Sequence, residues 1–230
     1  MKLLSKILLF SIFLNLFSII KSQENKMNLS LKKDLDEIMF LDQTWRELFD
    51  NNLPQEKRLS LLNKLNVTEQ IFKEKGWGLV IQQDSINIRK VEKIIEKYDY
   101  PVKSLVGEPT NKSAWYVIQH SDKIKKYLPI IKKAAENKEI EFTLYAMMYD
   151  RFLMQKGKKQ KYGTQGYGSH GMRNGKEFSF NIIWPIKNPE KVNELRKSVG
   201  FTQTIEEYAK DLYGDDFQYK IYTLDEVKKL

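Results

Sequence analysis

Apolar residues recur three and four apart along the first two thirds of this chain, and most of the helices they predict carry a polar residue on the buried side. From Ser30 to Asp50 the stripe is Leu35, Ile38, Met39, Trp45 and Phe49. Asp42 and Arg46 fall on or beside it, four residues apart, at a spacing that lets them pair. A second helix is expected over Gln55–Lys75, stopped by Gly76-Trp77-Gly78. A third is expected from about Gln82 to Lys97 along Val91, Ile94, Ile95 and Tyr98. Extended backwards, this third stripe meets Asp84, Asn87 and Ile88, and Asp84 also suits an N-cap.

A loop follows Tyr98-Asp99-Tyr100-Pro101, and the next helix is expected to start at Thr110 or Asn111 and end near Asp122. Ala114, Trp115, Val117 and Ile118 form its apolar side, with Gln119, His120 and Asp122 on or next to it. Lys123–Lys138 and Glu141–Lys156 read as two more helices, the second placing Asp150 and Arg151 among Leu144, Met147, Met148 and Phe152. After Gly157 the period shortens. Gln160–Tyr167 and Glu177–Trp184 look like strands, joined by a glycine-rich stretch whose Asn174-Gly175 signals a hairpin. In the first strand, alternation puts Tyr162 and Thr164 on one face and Gly163 and Gln165 on the other. Asn188-Pro189 opens a short helix ending near Gly200, another covers Thr204–Tyr213, and Phe217–Leu230 is an amphipathic tail. The expectation is a mainly α (α+β) fold: one helical domain over residues 23–230 with a β-hairpin near its C-terminal third.

The start of the chain has a different character. Lys2 and Lys6 precede an apolar run from Ile7 to Ile20, and Ile20 and Ser22 suit a signal-peptidase site with Gln23 as the new N-terminus. A run of this length is short of the roughly 20 apolar residues of a spanning helix. A secreted or periplasmic chain, without stable membrane insertion after cleavage, is therefore expected. There is no cysteine, which excludes disulfides, thiolate metal sites and cysteine nucleophiles. The formal charge of +9 falls to +6 once Lys2, Lys6 and Lys21 leave with the leader. That excess is spread along solvated helix faces, so no nucleic-acid partner is expected.

Several motifs arrive in order: Val106-Gly107-Glu108, Ala114-Trp115, Gln119-His120-Ser121-Asp122, Asp150-Arg151, and Gln160-Lys161-Tyr162-Gly163-Thr164-Gln165. Pro185-Ile186, Pro189-Glu190 and Val199-Gly200 follow them. In this the chain resembles a bacterial domain family of unknown function, over roughly Asp84 to Tyr208. The resemblance brings no chemistry with it, since that family has no assigned activity. Lys161 stands where an arginine is frequent in that pattern, which removes a guanidinium fork from any anion clamp there.

The candidate site gathers these polar groups. Asp42, Arg46, Asp84, Gln119, His120, Asp150, Arg151 and Gln165 are expected to converge between the helices and the hairpin. In one use His120 moves a proton, an aspartate such as Asp150 orients it, and Arg46 or Arg151 holds a small anionic ligand. In the other, the same groups grip a ligand or one another as a buried network and nothing turns over. Asp150 and Arg151 leave the helix about 100° apart, so one is expected to face inward while the other serves elsewhere. No metal is expected, because two histidines and no cysteine supply neither a His-Glu-x-x-His pair nor a zinc-ribbon spacing. Cofactor identity is left open by the sequence. Gly166-Tyr167-Gly168-Ser169-His170-Gly171 matches a dinucleotide fingerprint in letters only, since a turn rather than a helix is expected after it. The Lys156–Lys161 run reads as a solvated loop, with contact to an anionic polymer as the alternative.

Overall fold

The computed structural model describes residues 27–173 and 175–230. The expected leader and Asn174 of the expected turn lie outside the described residues. Ten α-helices and one antiparallel hairpin form the described chain, the mainly α architecture with a hairpin in its C-terminal third that the sequence predicts.

Helix α1 (Leu29–Glu47) starts at Asn28, whose side chain accepts a hydrogen bond from the Leu31 amide at 3.0 Å. Its buried face carries Leu31, Leu35, Ile38 and Trp45, together with Asp42. Burying one such leucine or isoleucine contributes roughly 2 kcal/mol. The next two helices depart from expectation. α2 (Gln55–Lys64) is short, and α3 (Glu69–Tyr98) runs unbroken through Gly76 and Gly78. The break falls between Asn66, at φ 55°, and Thr68, whose hydroxyl caps α3 by accepting from the Ile71 amide at 3.2 Å. Gly76 is a contact point rather than a stop: a Cβ there would lie 3.1 Å from the Phe49 ring and 3.2 Å from that of Phe72. Asp84 consequently lies inside α3 and caps nothing.

The chain continues through α4 (Lys103–Val106), a 3₁₀ turn (Thr110–Lys112), α5 (Ser113–Gln119), α6 (Ile124–Glu136) and α7 (Phe142–Gln155). The largest core packs α1 and the second half of α3 against these helices, around Leu35, Val91, Ile118, Ile131 and Met148. A second, around Trp45, Leu48, Leu62 and Phe72, joins α1, α2 and the start of α3. Buried polar bonds fix the approach to α5: Tyr100 donates to the Asn111 carbonyl at 3.0 Å, and Trp115 Nε1 to the Leu144 carbonyl at 2.8 Å. Among the described residues no helix is long and apolar enough to cross a membrane.

Strands β1 (Gly166–Arg173) and β2 (Lys176–Ile183) pair from Gly166 opposite Ile183 to Arg173 opposite Lys176. This shifts the first strand by about one element. The segment Lys161–Gln165, expected as strand, is an irregular loop; only Gln160 before it bridges, in parallel, to Ile186. The glycine-rich stretch expected to join the strands is largely β1 itself, because backbone pairing with β2 asks nothing of side chains. A 3₁₀ turn (Pro189–Lys191), α8 (Val192–Ser198), α9 (Ile205–Tyr213) and α10 (Leu224–Val227) complete the chain. Thr204 and Glu207 form a capping box at α9. A third core of Ile183, Ile186, Val192, Ile205 and Ala209 packs the foot of the hairpin onto α8 and α9.

Candidate functional site

Asp42 and Arg46 leave α1 one turn apart and meet Asp84 from α3. Arg46 Nη2 donates to both carboxylate oxygens of Asp84, at 2.9 and 2.8 Å, while Nη1 donates to the Asp42 carbonyl at 2.8 Å. The Asp42 carboxylate is buried. Its Oδ2 accepts from Gln43 at 2.7 Å, but its Oδ1 has only Arg46 Nη1 at 3.4 Å and no hydrogen bond. Burial dominates its titration and, with the neighbouring Asp84 charge, pushes the carboxyl up to about 6 against the pull of Arg46. Trp45 Nε1 and Asn87 Nδ2 are also buried, on α1 and α3, without a partner among the described residues.

His120 terminates α5, and its half-buried ring faces the same charges. Burial first, then the positive charges of Arg46 and Arg151, push the imidazole down to about 3. It is therefore neutral near pH 7, one nitrogen donating and the other accepting. Asp122, two residues further on, points away: its side chain is 85% exposed, 3.6 Å from Lys123 Nζ. Gln119 is half-buried and makes no side-chain hydrogen bond among the described residues.

Asp150 and Arg151 diverge as the helical geometry predicts. Asp150 is wholly buried and organises the following loop, accepting from the amides of Lys161 at 2.7 Å, Tyr162 at 2.9 Å and Thr164 at 3.1 Å, and from the Thr164 hydroxyl at 3.1 Å. Burial raises its carboxyl above the ordinary range, and the backbone donors oppose that rise. Gly163 makes the loop possible. Its φ is 70°, and a Cβ would lie 2.6 Å from Ile205 Cδ1. The Tyr162 carbonyl accepts from Arg196 Nη1 at 3.0 Å. Arg196, buried on α8 between Phe201 and Tyr208, was not legible as a site residue. The available signal was a charge four residues after Val192, on the inward face.

Arg151 goes the other way, into a cleft of about 300 Å³ between the end of α7, the start of β1 and α9. Thr164, Gln165, Tyr208 and Tyr213 line it. Gln165 is folded inward, its amide donating to the Met147 carbonyl at 3.3 Å and to the Thr164 carbonyl and hydroxyl at 3.1 Å. The Tyr208 hydroxyl donates to the Thr164 carbonyl at 2.8 Å, and that of Tyr213 to the Ile182 carbonyl at 2.9 Å. Arg151 is half-buried and has neither an ion pair nor a hydrogen bond among the described residues. Burial pulls its guanidinium down from the ordinary range.

The structure thus joins Asp42, Arg46 and Asp84 directly and places His120 within the electrostatic reach of both Arg46 and Arg151. Asp150 and most of Gln165 are engaged in holding the loop. No group of three or more acidic or histidine side chains placed to hold a metal occurs among the described residues.

The model of a family of unknown function, DUF6624, matches residues 64–222. The chain belongs to that family. The match reaches further than the span of the motifs, taking in all of α3 and α9, so the family unit includes Asp84, His120, Arg151 and Arg196. It leaves out α1, which supplies Asp42 and Arg46. No curated protein and no solved structure matches the chain.

Proposed function

We propose that this domain binds a small anion, a carboxylate or a phosphate monoester, on the Arg151 guanidinium, with the neutral His120 ring nearby. One observation carries the reading: a half-buried arginine lines a cleft of about 300 Å³ without a counter-charge. An arginine withdrawn from water is costly unless a partner repays the lost hydration. Its planar fork matches a carboxylate or phosphate through two parallel hydrogen bonds, strengthened where water is partly excluded. The Thr164, Tyr208 and Tyr213 oxygens add polar groups around the same opening.

Proton transfer by His120 belongs to this proposal only with the anion bound. A neutral imidazole held near 3 by burial and by two cations is a weak base, and an anion that offsets those cations raises its basicity. The test is isothermal titration with inorganic phosphate and with acetate at low salt. Arg151→Gln is expected to remove the binding and Arg151→Lys to weaken it about tenfold. Binding retained in Arg151→Gln would defeat the proposal.

The setting we propose for this binding is outside the cytoplasm, on the strength of the Lys2 to Ser22 pattern. Expression in an exporting host followed by N-terminal sequencing is expected to give a chain that starts at Gln23. Recovery of the protein in the cytosol with residues 1–22 intact would count against it.

A further inference from the structure

A second cleft, at the other end of the Asp150 loop, is larger and more strongly charged. It has a volume of about 610 Å³, within the size range of small-molecule sites. Lys158, Lys159, Lys161 and Lys187 line it, and no carboxylate does. None of the four ammonium groups makes an ion pair among the described residues. The fold forces this gathering of like charge. Lys187 lies 26 residues or more beyond the other three, and the Gln160 to Ile186 bridge brings the two segments side by side.

Backbone bonds hold the lysine-bearing segments in place. The Gln160 amide donates to the Pro185 carbonyl and the Lys187 amide to the Gln160 carbonyl, both at 2.9 Å. The Lys158 carbonyl accepts from Trp184 Nε1 at 2.8 Å, and the Lys161 amide is fixed on Asp150. The ammonium groups therefore extend from a preformed frame instead of a free tail. Behind them, Tyr149, Leu153 and Leu195 supply an apolar wall.

We infer that this cleft binds an organic oligophosphate, with two or more phosphates on the four lysines and an apolar or aromatic body against Tyr149, Leu153 and Leu195. Ammonium groups bind phosphate as point charges, so several of them select multiple charge over any one geometry. A single phosphate or carboxylate would offset only part of the mutual repulsion. This site is separate from Arg151 and takes a different class of anion.

Titration calorimetry at low ionic strength, with a nucleoside diphosphate, pyrophosphate and orthophosphate as probes, tests it. The diphosphate nucleoside is expected to bind most tightly and orthophosphate at least tenfold more weakly. Lys159→Glu with Lys187→Glu, both exposed, is expected to weaken the nucleoside diphosphate at least tenfold. Lys125→Glu with Lys132→Glu, an equal charge change on exposed positions of α6, is expected to alter it less than twofold, as is Arg151→Gln. Equal weakening by the α6 pair would reduce the effect to net charge and overturn the inference. So would orthophosphate binding as tightly as the nucleoside diphosphate, or no measurable binding of that nucleotide.

Discussion

Arg46 Nη2 reaches both carboxylate oxygens of Asp84, at 2.9 and 2.8 Å, and so ties α1 to the middle of a thirty-residue helix. The two ends of this tie are not equivalent. Asp84 keeps about a quarter of its side chain in solvent, whereas Asp42, on the other side of the same guanidinium, is fully enclosed. Asp84→Asn is expected to cost no more than about 1 kcal/mol, the usual worth of a partly exposed pair. Arg46→Ala leaves a buried carboxylate without its cation and is expected to cost about 3 kcal/mol. Urea unfolding of the two variants measures the difference, and equal losses would contradict this ranking.

Acid should act on Asp42 and His120 in opposite directions. The folded Asp42 carboxyl is raised to about 6, so its contribution to stability is fully present below its unfolded value of 3.8 and is lost as pH rises through 6. The difference is on the order of 3 kcal/mol. His120 is depressed to about 3, so the unfolded chain takes up its proton first and stability falls as pH drops below 6.5. Between pH 6 and 4, Asp42→Asn is expected to steepen the acid destabilisation, and His120→Asn to lessen it. Denaturation midpoints across that window provide the check.

Asp150 gathers four donors, and its removal strands all of them in the interior. Asp150→Ala is expected to cost 3 kcal/mol or more. Asp150→Asn is also expected to be destabilising, because its amide nitrogen meets donors where the carboxylate oxygens met them. Thermal melts would show both losses. A melting temperature unchanged in Asp150→Ala would mean that the loop does not depend on this carboxylate.

Anion binding at Arg151 should be visible at His120. Offsetting one of the two cations that depress the imidazole is expected to move its titration upward. Following the His120 ring by NMR across pH, with and without inorganic phosphate, measures that movement. In Arg151→Gln the histidine should already titrate higher, and phosphate should no longer shift it.

Much of the helical fold was legible because a period of 3.6 survives a few polar intruders, and the placement of Asp42 and Arg46 on the α1 stripe followed from spacing alone. The errors lie where a side chain replaces backbone as the organiser. Gly76 and Gly78 looked like a stop, but helix geometry tolerates glycine, and the real break depended on Asn66 adopting a positive φ. Tyr162 and Thr164 alternate like strand residues, yet their amides are bonded to Asp150, a partner twelve or more residues earlier in sequence. Such long-range bonds leave no local periodicity. For the same reason the role of Arg196 was not visible in the sequence.

Six residues, Gln160 to Gln165, have an opening at either end: lysines crowd one mouth and Arg151 occupies the other. A single enclosed carboxylate anchors the segment between them. Any displacement of that anchor alters the shape of both mouths together, so Asp150 cannot reshape one compartment without the other.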